Sequence, residues 1–438
     1  MPALMVQGTS SHAGKSLLVS GLCRAFANEG LEVRPFKPQN MSNNAAVAVD
    51  GGEIGRAQAL QARAARCPPT TLMNPVLLKP QSGTGAQLIV QGKVQGSIEA
   101  ARYHFIKSQL LAPVLESFAE LAGNADLIIA EGAGSPAEVN LRQGDFANMG
   151  FALAAGMPVV LAGDIERGGV IASIVGTYDL LEPPEQALLK GYIINKFRGD
   201  PALFRNAHPI LEARTKLPPL GVVPWFDGAA RLPEEDVLGL GKVRPKAAGQ
   251  LKIAVPRLPR ISNLDDLDPL LAEPDISLLV LEAGMALPGD TDLVLLIGSK
   301  ATIADLESLR AEGWDIDIRA HHRRGGHILG LCGGLQMLGR IILDPEGIEG
   351  SVREAEGLGL LDIETELRGP KTLKLSHGKD LRFDKEISGY QIHLGVTLGG
   401  GAVRPMLTLD GQKDGVLSED GRVGGCYLHG LFANDDFR

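Results

Sequence analysis

Positive charge is in short supply: 43 Lys and Arg stand against 52 Asp and Glu in 438 residues, a formal net charge of −9. Such a chain gives a phosphate backbone no field to follow, so nucleic acid is not an expected partner. Aromatic side chains are also few, 12 Phe, 5 Tyr and 2 Trp, which leaves no platform for stacking bases. Cysteine is limited to Cys23, Cys67, Cys332 and Cys426, with no CxxC pair. Neither a disulfide framework nor a zinc knuckle is expected, and a reducing compartment is. Long apolar runs are missing too: the longest uncharged one, 149–163, contains three Gly and a Pro and is too short to span a bilayer. The opening MPAL carries no basic region and no small-residue cleavage site follows it. No signal peptide is read, and a cytoplasmic location with no membrane partner is expected.

Glycine, in contrast, is abundant, 55 residues without a collagen-like period, where an average chain carries about 7%. Many tight loops with closely approaching backbone follow. At about 150 residues per domain the length implies two large units or three ordinary ones. From residue 3 to about 225, short aliphatic runs alternate with helical patterns, as βαβ units do. The strands are read at Leu4–Gln7, Val33–Lys37, Asp126–Ala130, Pro158–Ala162, Gly191–Asn195 and Leu220–Val223. Helices are read at Ser16–Asn28, Gly55–Arg66 and a long Ile98–Leu121. The expected domains are 1–226, a Pro-, Gly- and charge-rich linker at 227–250, and 251–438. In the last of these, strands are expected at Lys252–Val255, Ser277–Leu281, Asp292–Ile297 and His327–Leu331. Helices are expected at Lys300–Glu312 and Gly333–Leu343, with a β-rich end after about residue 350.

Directly after the first strand, GTSSHAGKS runs from Gly8 to Ser16 into a helix, the setting of a phosphate-binding loop. Five residues separate Gly8 from Gly14, one more than the simplest pattern, and this variant resembles the dethiobiotin-synthetase-like branch of P-loop enzymes. Gly8, Thr9 and Gly14 would cradle phosphate, Lys15 would neutralise it and Ser16 would hold Mg²⁺. The strand DLIIAEGAGS ends in Glu131, at the edge where a parallel sheet presents its ligands. Glu131 is the first candidate metal ligand, Asp50 the second and Asp164 the third, the last two also reading as turn residues. Asn195 in NKFRGD resembles the purine-reading Asn of related nucleotide enzymes.

In ILGLCGGLQMLG, Cys332 stands between a predicted strand and helix with Gly on both sides at two residues' distance. Small residues there permit a nucleophile elbow, which puts a thiol at a helix N-terminus. His429, in GGCYLHGLF, is the candidate general base. His393 ends a strand-like segment and is a second candidate for lining the site, whereas His321, His322 and His327 read as a solvated helix end. Cys23 and Cys67 read as buried and inert.

The ordered strings GTSSHAGKS, FKPQNMSNNA, DGGEIGRAQALQA, MNPVLLKPQS, EGAGSPAEVNL, DIERGGV, NKFRGD, PRISNLDDLDPL, GLCGGLQMLG, GYQIH and YLHGLF resemble, over essentially the whole chain, the cobyric acid synthase family of cobalamin biosynthesis. PQNMSNNA and DGGEIGRAQ favour it over the related ligases that form the a,c-diamide. The resemblance implies an N-terminal P-loop parallel-sheet domain for ATP-dependent amide ligation and a C-terminal class I glutamine amidotransferase α/β domain. It implies that Cys332 attacks L-glutamine, that His429 moves the proton, and that Gly333 and Gly298 supply oxyanion donors while Gln336 contacts glutamine. ATP with Mg²⁺ would phosphorylate the b, d, e and g carboxylates of adenosylcobyrinic acid a,c-diamide, and ammonia would convert them to amides. Gln39, Asn40, Asn43 and Asn44 are expected against the corrinoid. The chain departs from many class I amidotransferases in carrying Leu431, not Glu, two residues after His429, so the group that orients this His stays open. Gln391 stands in GYQIH where the family usually has Glu.

Overall fold

A computed structural model of the protein describes residues 2–80, 85–99, 103, 105–233, 251–400 and 403–438. They divide into two compact units, Met1–Ser42 with Ala48–Pro233, and Asn43–Val47 with Glu234–Arg438. Most of the expected linker, 234–250, lies outside the described residues; its first part includes a short 3₁₀ turn at Asp227–Arg231.

In the first unit, aliphatic runs form strands β1 (Ala3–Gly8), β2 (Val33–Phe36), β3 (Leu127–Glu131), β4 (Val159–Asp164), β5 (Leu189–Phe197) and β6 (Pro219–Pro224). They make a parallel sheet in the order β6-β5-β4-β1-β3-β2. Both faces are covered, which is why β3 and β4 read as continuous apolar runs rather than alternating ones. Helix α1 (Lys15–Asn28) follows β1 directly. Phe36, Phe118 and Phe151 pack ring against ring at 5.3–5.5 Å in the core beside this sheet.

One expectation fails here. The long helix at Ile98–Leu121 is a strand, Lys93–Glu99, then a helix at Leu111–Ala122, with 100–102 and 104 outside the described residues. The strand pairs antiparallel with Gly85–Val90 through Gln91 and Gly92, at φ 47° and 76°, the two positive values that a tight hairpin turn requires. Together with Gln39–Met41 and Val76–Pro80 these strands form a second, four-stranded sheet that the sequence pattern does not announce.

The second unit has parallel strands β7 (Leu251–Pro256), β8 (Ile276–Leu281), β9 (Leu293–Leu296), β10 (His327–Leu331) and β11 (Val423–Cys426), in the order β8-β7-β9-β10-β11. Val416–Ser418 extends the sheet antiparallel. The helix expected at Gly333–Leu343 stops at Leu338, and Ile341–Leu343 is a strand paired with Glu354–Glu356 and Ile363–Glu366. Gly339 at its end approaches Ile363 so closely that a Cβ would come within 2.9 Å of the Ile363 carbonyl oxygen, and the β-branched Ile341 and Ile342 then favour extension. Among the described residues no helix is long and apolar enough to cross a membrane.

Candidate active sites

Each of the two parallel sheets gathers candidate site residues at the carboxyl ends of its strands, where open α/β sheets place ligands. In the second unit, β10 ends at Leu331 and Cys332 turns at φ 53° and ψ −111° into the helix Gly333–Leu338. A non-glycine residue there is strained, and the packing around it must hold it. The flanking glycines supply that packing. A Cβ on Gly330 would lie 2.6 Å from backbone atoms of Gly334, and one on Gly334 would lie 2.0 Å from the Leu296 carbonyl oxygen.

Because β10 pairs with β11, with Leu331 opposite Cys426, the residues just beyond the two strands become neighbours. His429 therefore reaches the side chain of Cys332, which also lies 3.5 Å from the Ile392 carbonyl oxygen. The group that orients His429 is Asp266. Its Oδ2 accepts from Nδ1 at 2.7 Å and its Oδ1 accepts from the Gly430 amide at 2.7 Å. Asp266 and His429 are both buried, at 1% exposure each, and the Tyr390 ring stacks on the imidazole at 5.3 Å and 17°. Burial pushes His429 down, but the Asp266 carboxylate and the bond to Cys332 outweigh it and raise the pKa to about 10. A pKa raised in this way favours the protonated imidazole.

Around this array, Gly298 brings the turn after β9 against His429: a Cβ there would be 3.1 Å from the imidazole Cε1. Gly333 faces the Ser299 amide, 3.0 Å from where its Cβ would stand. Gln336 is buried and committed: Oε1 accepts from Thr302 Oγ1 at 2.9 Å, and Nε2 donates to the Leu394 carbonyl at 2.9 Å and to Tyr427 Oη at 3.2 Å. Its amide keeps one open lone pair at most. His393 stacks on Tyr427 at 3.8 Å, and burial, then the nearby His429, lowers its pKa to about 4. Gln391 donates to Ser376. His321 is not solvated as expected, being buried against the His327 carbonyl at 3.1 Å. Burial raises the thiols of Cys23, to about 12, and of Cys426, as inert cysteines behave; Cys67, expected to be buried, is only partly so, and its thiol is raised as well.

In the first unit, Gly14 caps α1 in the left-handed region at φ 84°, and a Cβ there would collide with Asn195 Nδ2 at 2.4 Å. Lys15 Nζ folds over the loop, donating to the carbonyls of Ser10 at 2.9 Å, Ser11 at 3.3 Å and Gly134 at 2.8 Å. The Thr9 amide donates to the Ala162 carbonyl, which fixes the loop on β4, next to β1. Glu131, at the end of β3, accepts from Ser16 Oγ at 2.8 Å. It also pairs with Lys37, 2.9 Å away, and accepts from Gln61. Lys37 and Gln61 were missed by the motif reading; a lysine closing an apolar strand is the signal that marks the first. Asn195 Nδ2 donates to the Ala13 carbonyl at 2.8 Å, and Asp164 pairs with Lys196 at 2.8 Å.

Asp50 stands apart from this group, on an exposed turn, accepting from the amide and hydroxyl of Thr71. Among the described residues no three His, Cys, Asp or Glu converge as a metal cage. Ser16 with Glu131 nevertheless fits Mg²⁺, which takes one or two protein oxygens and fills its other positions from phosphate and water. Of the four residues expected against a ring substrate, Gln39 lines a cavity, where its Oε1 accepts from Tyr103. Asn40 is buried on Gln58. Asn44 is buried in the second unit, accepting from the amides of Asn263 and Leu264, and Asn43 Oδ1 is buried as well.

Known proteins resemble both parts of the chain. Residues 4–238 match the family described as the CobQ/CobB/MinD/ParA nucleotide binding domain, and residues 252–437 match the CobB/CobQ-like glutamine amidotransferase domain. The chain is 59% identical to the cobyric acid synthase of Rhizobium johnstonii over 436 residues, covering 100% of this chain and 89% of that one. It is 60% identical to the cobyric acid synthase of Methylobacterium nodulans over 435 residues, 99% of this chain and 89% of that one. The cobyric acid synthase of Cereibacter sphaeroides is 56% identical over 438 residues, 100% and 91% of the two chains.

Proposed function

The chain belongs to the cobyric acid synthase family, glutamine-dependent ligases of cobalamin biosynthesis, and from that premise we propose that it amidates the b, d, e and g carboxylates of adenosylcobyrinic acid a,c-diamide. The observation that carries the reading is the buried Cys332, His429 and Asp266 array. A nucleotide-binding scaffold alone has no use for a thiol held on a strained turn against an oriented imidazole.

In the second unit, His429 takes the Cys332 proton and the sulfur attacks the carboxamide carbon of glutamine. Amides of Gly333 and the Gly298–Ser299 turn hold the oxyanion. His429 returns the proton to the leaving nitrogen, ammonia departs, and water then hydrolyses the γ-glutamyl thioester to glutamate. Asp266 keeps Nδ1 protonated and Nε2 aimed at the sulfur throughout.

In the first unit, the Gly8–Ser16 loop and Lys15 bind the phosphates of ATP. A cavity of about 430 Å³ lined by Gly14, Leu18, Asn195, Val223, Trp225 and Phe226 suits the base. Ser16 and Glu131 would hold Mg²⁺, which would supply charge neutralisation at the phosphates. Lys37, beside Glu131, would add positive charge for the transferred phosphoryl group. The substrate carboxylate takes the γ-phosphoryl group and ADP leaves; ammonia attacks the acyl phosphate and phosphate leaves. A second cavity of about 330 Å³ is lined by Gln39, Met41, Tyr103, Gly134, Ser135 and Asn148. Gly134 is also the residue that Lys15 touches. A space of that size takes one carboxylate-bearing edge of a macrocycle rather than the whole ring, which suits a reaction repeated at successive side chains.

The test is mass analysis of adenosylcobyrinic acid a,c-diamide incubated with the protein, Mg·ATP and glutamine. Replacement of OH by NH₂ at all of the b, d, e and g positions is expected. Unchanged substrate with ATP still hydrolysed would assign the protein another acceptor.

A further inference from the structure

The residue that orients the catalytic imidazole sits on a turn whose own support comes from far away in the chain. Asp266 lies in a short 3₁₀ helix, Leu264–Leu267, preceded by Asn263 in the left-handed region at φ 58°. The first amides of a helix have no partner within it. Here the amides of Asn263 and Leu264 both donate to a single side-chain oxygen, Oδ1 of Asn44, at 3.0 and 3.4 Å. The two partners are 219 and 220 residues apart in sequence. Asn44 is 1% exposed, so no water can replace this oxygen without opening the packing. It belongs to Asn43–Val47, the five-residue piece of the N-terminal chain that packs as part of the second unit.

The geometry downstream leaves little freedom. Asp266 uses both carboxylate oxygens, one on His429 Nδ1 and one on the Gly430 amide, each at 2.7 Å. A shift of the 263–267 turn would disturb both bonds at once, because both oxygens belong to one planar group. We propose that Asn44 is a positioning residue of the glutaminase centre, acting through the Asn263–Asp266 turn to keep Asp266 on His429. This rests on the reading of Cys332 and His429 as nucleophile and base. It gives the asparagine-rich segment FKPQNMSNNA a role in glutamine hydrolysis rather than in contact with the ring substrate.

The experiment uses the full chain and measures glutamine hydrolysis and ammonium-dependent amidation side by side. Asn44→Ala should lower kcat for glutamine hydrolysis by about tenfold or more while KM for glutamine and the ammonium-dependent rate stay within about twofold. In an Asp266→Asn background, the same Asn44→Ala change should cost less than about twofold, because the group it positions is already gone. Asn44→Asp, which keeps an acceptor oxygen facing both amides, should recover much of the lost kcat. If Asn44→Ala does not accumulate as folded protein, Asn44→Ser, with an acceptor on a shorter arm, is read by the same kcat, KM and double-mutant criteria.

Undiminished hydrolysis in the folded variant would overturn the proposal. So would an equal fall of the glutamine- and ammonium-dependent rates, or an effect undiminished by Asp266→Asn. Failure of the underlying reading is distinguishable: it would appear as hydrolysis surviving Cys332→Ala.

Discussion

At the scale of single residues, the two units separate cleanly in what a substitution should remove. Cys332→Ser should abolish glutamine-dependent amidation and leave the ammonium-dependent reaction, whereas Lys15→Ala should remove both, since acyl activation serves either nitrogen source. Full glutamine-dependent synthesis by Cys332→Ser would show that the nucleophile is misassigned. His393 offers a test of electrostatics beside His429. Its pKa is about 4 in the folded protein, pushed down from 6.5 by burial and then by His429. Between those values the unfolded chain binds a proton that the folded one refuses, so stability is present above about pH 6.5 and falls as pH drops toward 4. The loss should reach roughly 3 kcal/mol at most. His393→Gln cannot take up that proton, so its stability relative to wild type should rise as pH falls through this window; a flat difference would show that His393 titrates normally. Much of this chemistry was legible in sequence, because Lys15, Ser16 and Cys332 sit at fixed distances from glycines whose purpose is local. Asp266 was not. It is one of three aspartates in NLDDLDP, and its partner is 163 residues away, so only the folded sheet edge tells it from Asp265 and Asp268.

At the scale of elements, glycine decides where backbone can approach backbone. The helix after Cys332 lies so close to β9 that a Cβ on Gly334 would stand 2.0 Å from the Leu296 carbonyl oxygen. Neither side is a flexible side-chain end, so Gly334→Ala should destabilise the second unit by on the order of 3 kcal/mol and disturb the Cys332 turn. Gly176, inside the helix Val170–Leu180, is the contrast: nothing stands within 4 Å of its would-be Cβ. Gly176→Ala should stabilise the first unit by up to about 1 kcal/mol through helix propensity alone. Calorimetric unfolding of the two variants checks both signs, and equal effects would contradict this account of the two sites. The same physics explains which elements the sequence disclosed. The strands of both parallel sheets are buried on two faces and so read as apolar runs. The hairpin Gly85–Glu99 turns on Gln91, a residue type with no preference for positive φ, and its second strand is largely exposed. Its weak alternation then merged with the real helix that begins at Leu111.

At the scale of the molecule, the order of the chain does not follow the order of the units. After Ser42 the chain leaves the first unit, contributes Asn43–Val47 to the second and returns at Ala48. No composition shift marks this excursion, which is why a reading by linear boundaries places the change of unit only near residue 227. Its consequence is that only Ser42 and Asn43 separate Met41, which lines the 330 Å³ cavity of the first unit, from Asn44, which accepts from the turn carrying Asp266. One short stretch of backbone therefore joins the strand Gln39–Met41 to the residue bonded to the Asn263–Leu264 turn. Ammonia released without an activated carboxylate is lost, so a favourable coupling would make hydrolysis faster when ATP and the corrinoid are bound. Linkage adds a second, independent requirement: whatever factor the acceptor exerts on the affinity for glutamine, glutamine must exert on the affinity for the acceptor. In Cys332→Ala, which binds glutamine without turnover, the dissociation constant of adenosylcobyrinic acid a,c-diamide should fall when glutamine is present. The factor should match the one by which the acceptor tightens glutamine, and Asn44→Ala should shrink both. A glutaminase rate indifferent to ATP and acceptor, together with independent binding of the two ligands, would mean that the excursion through Asn43–Val47 holds the second unit together and transmits nothing.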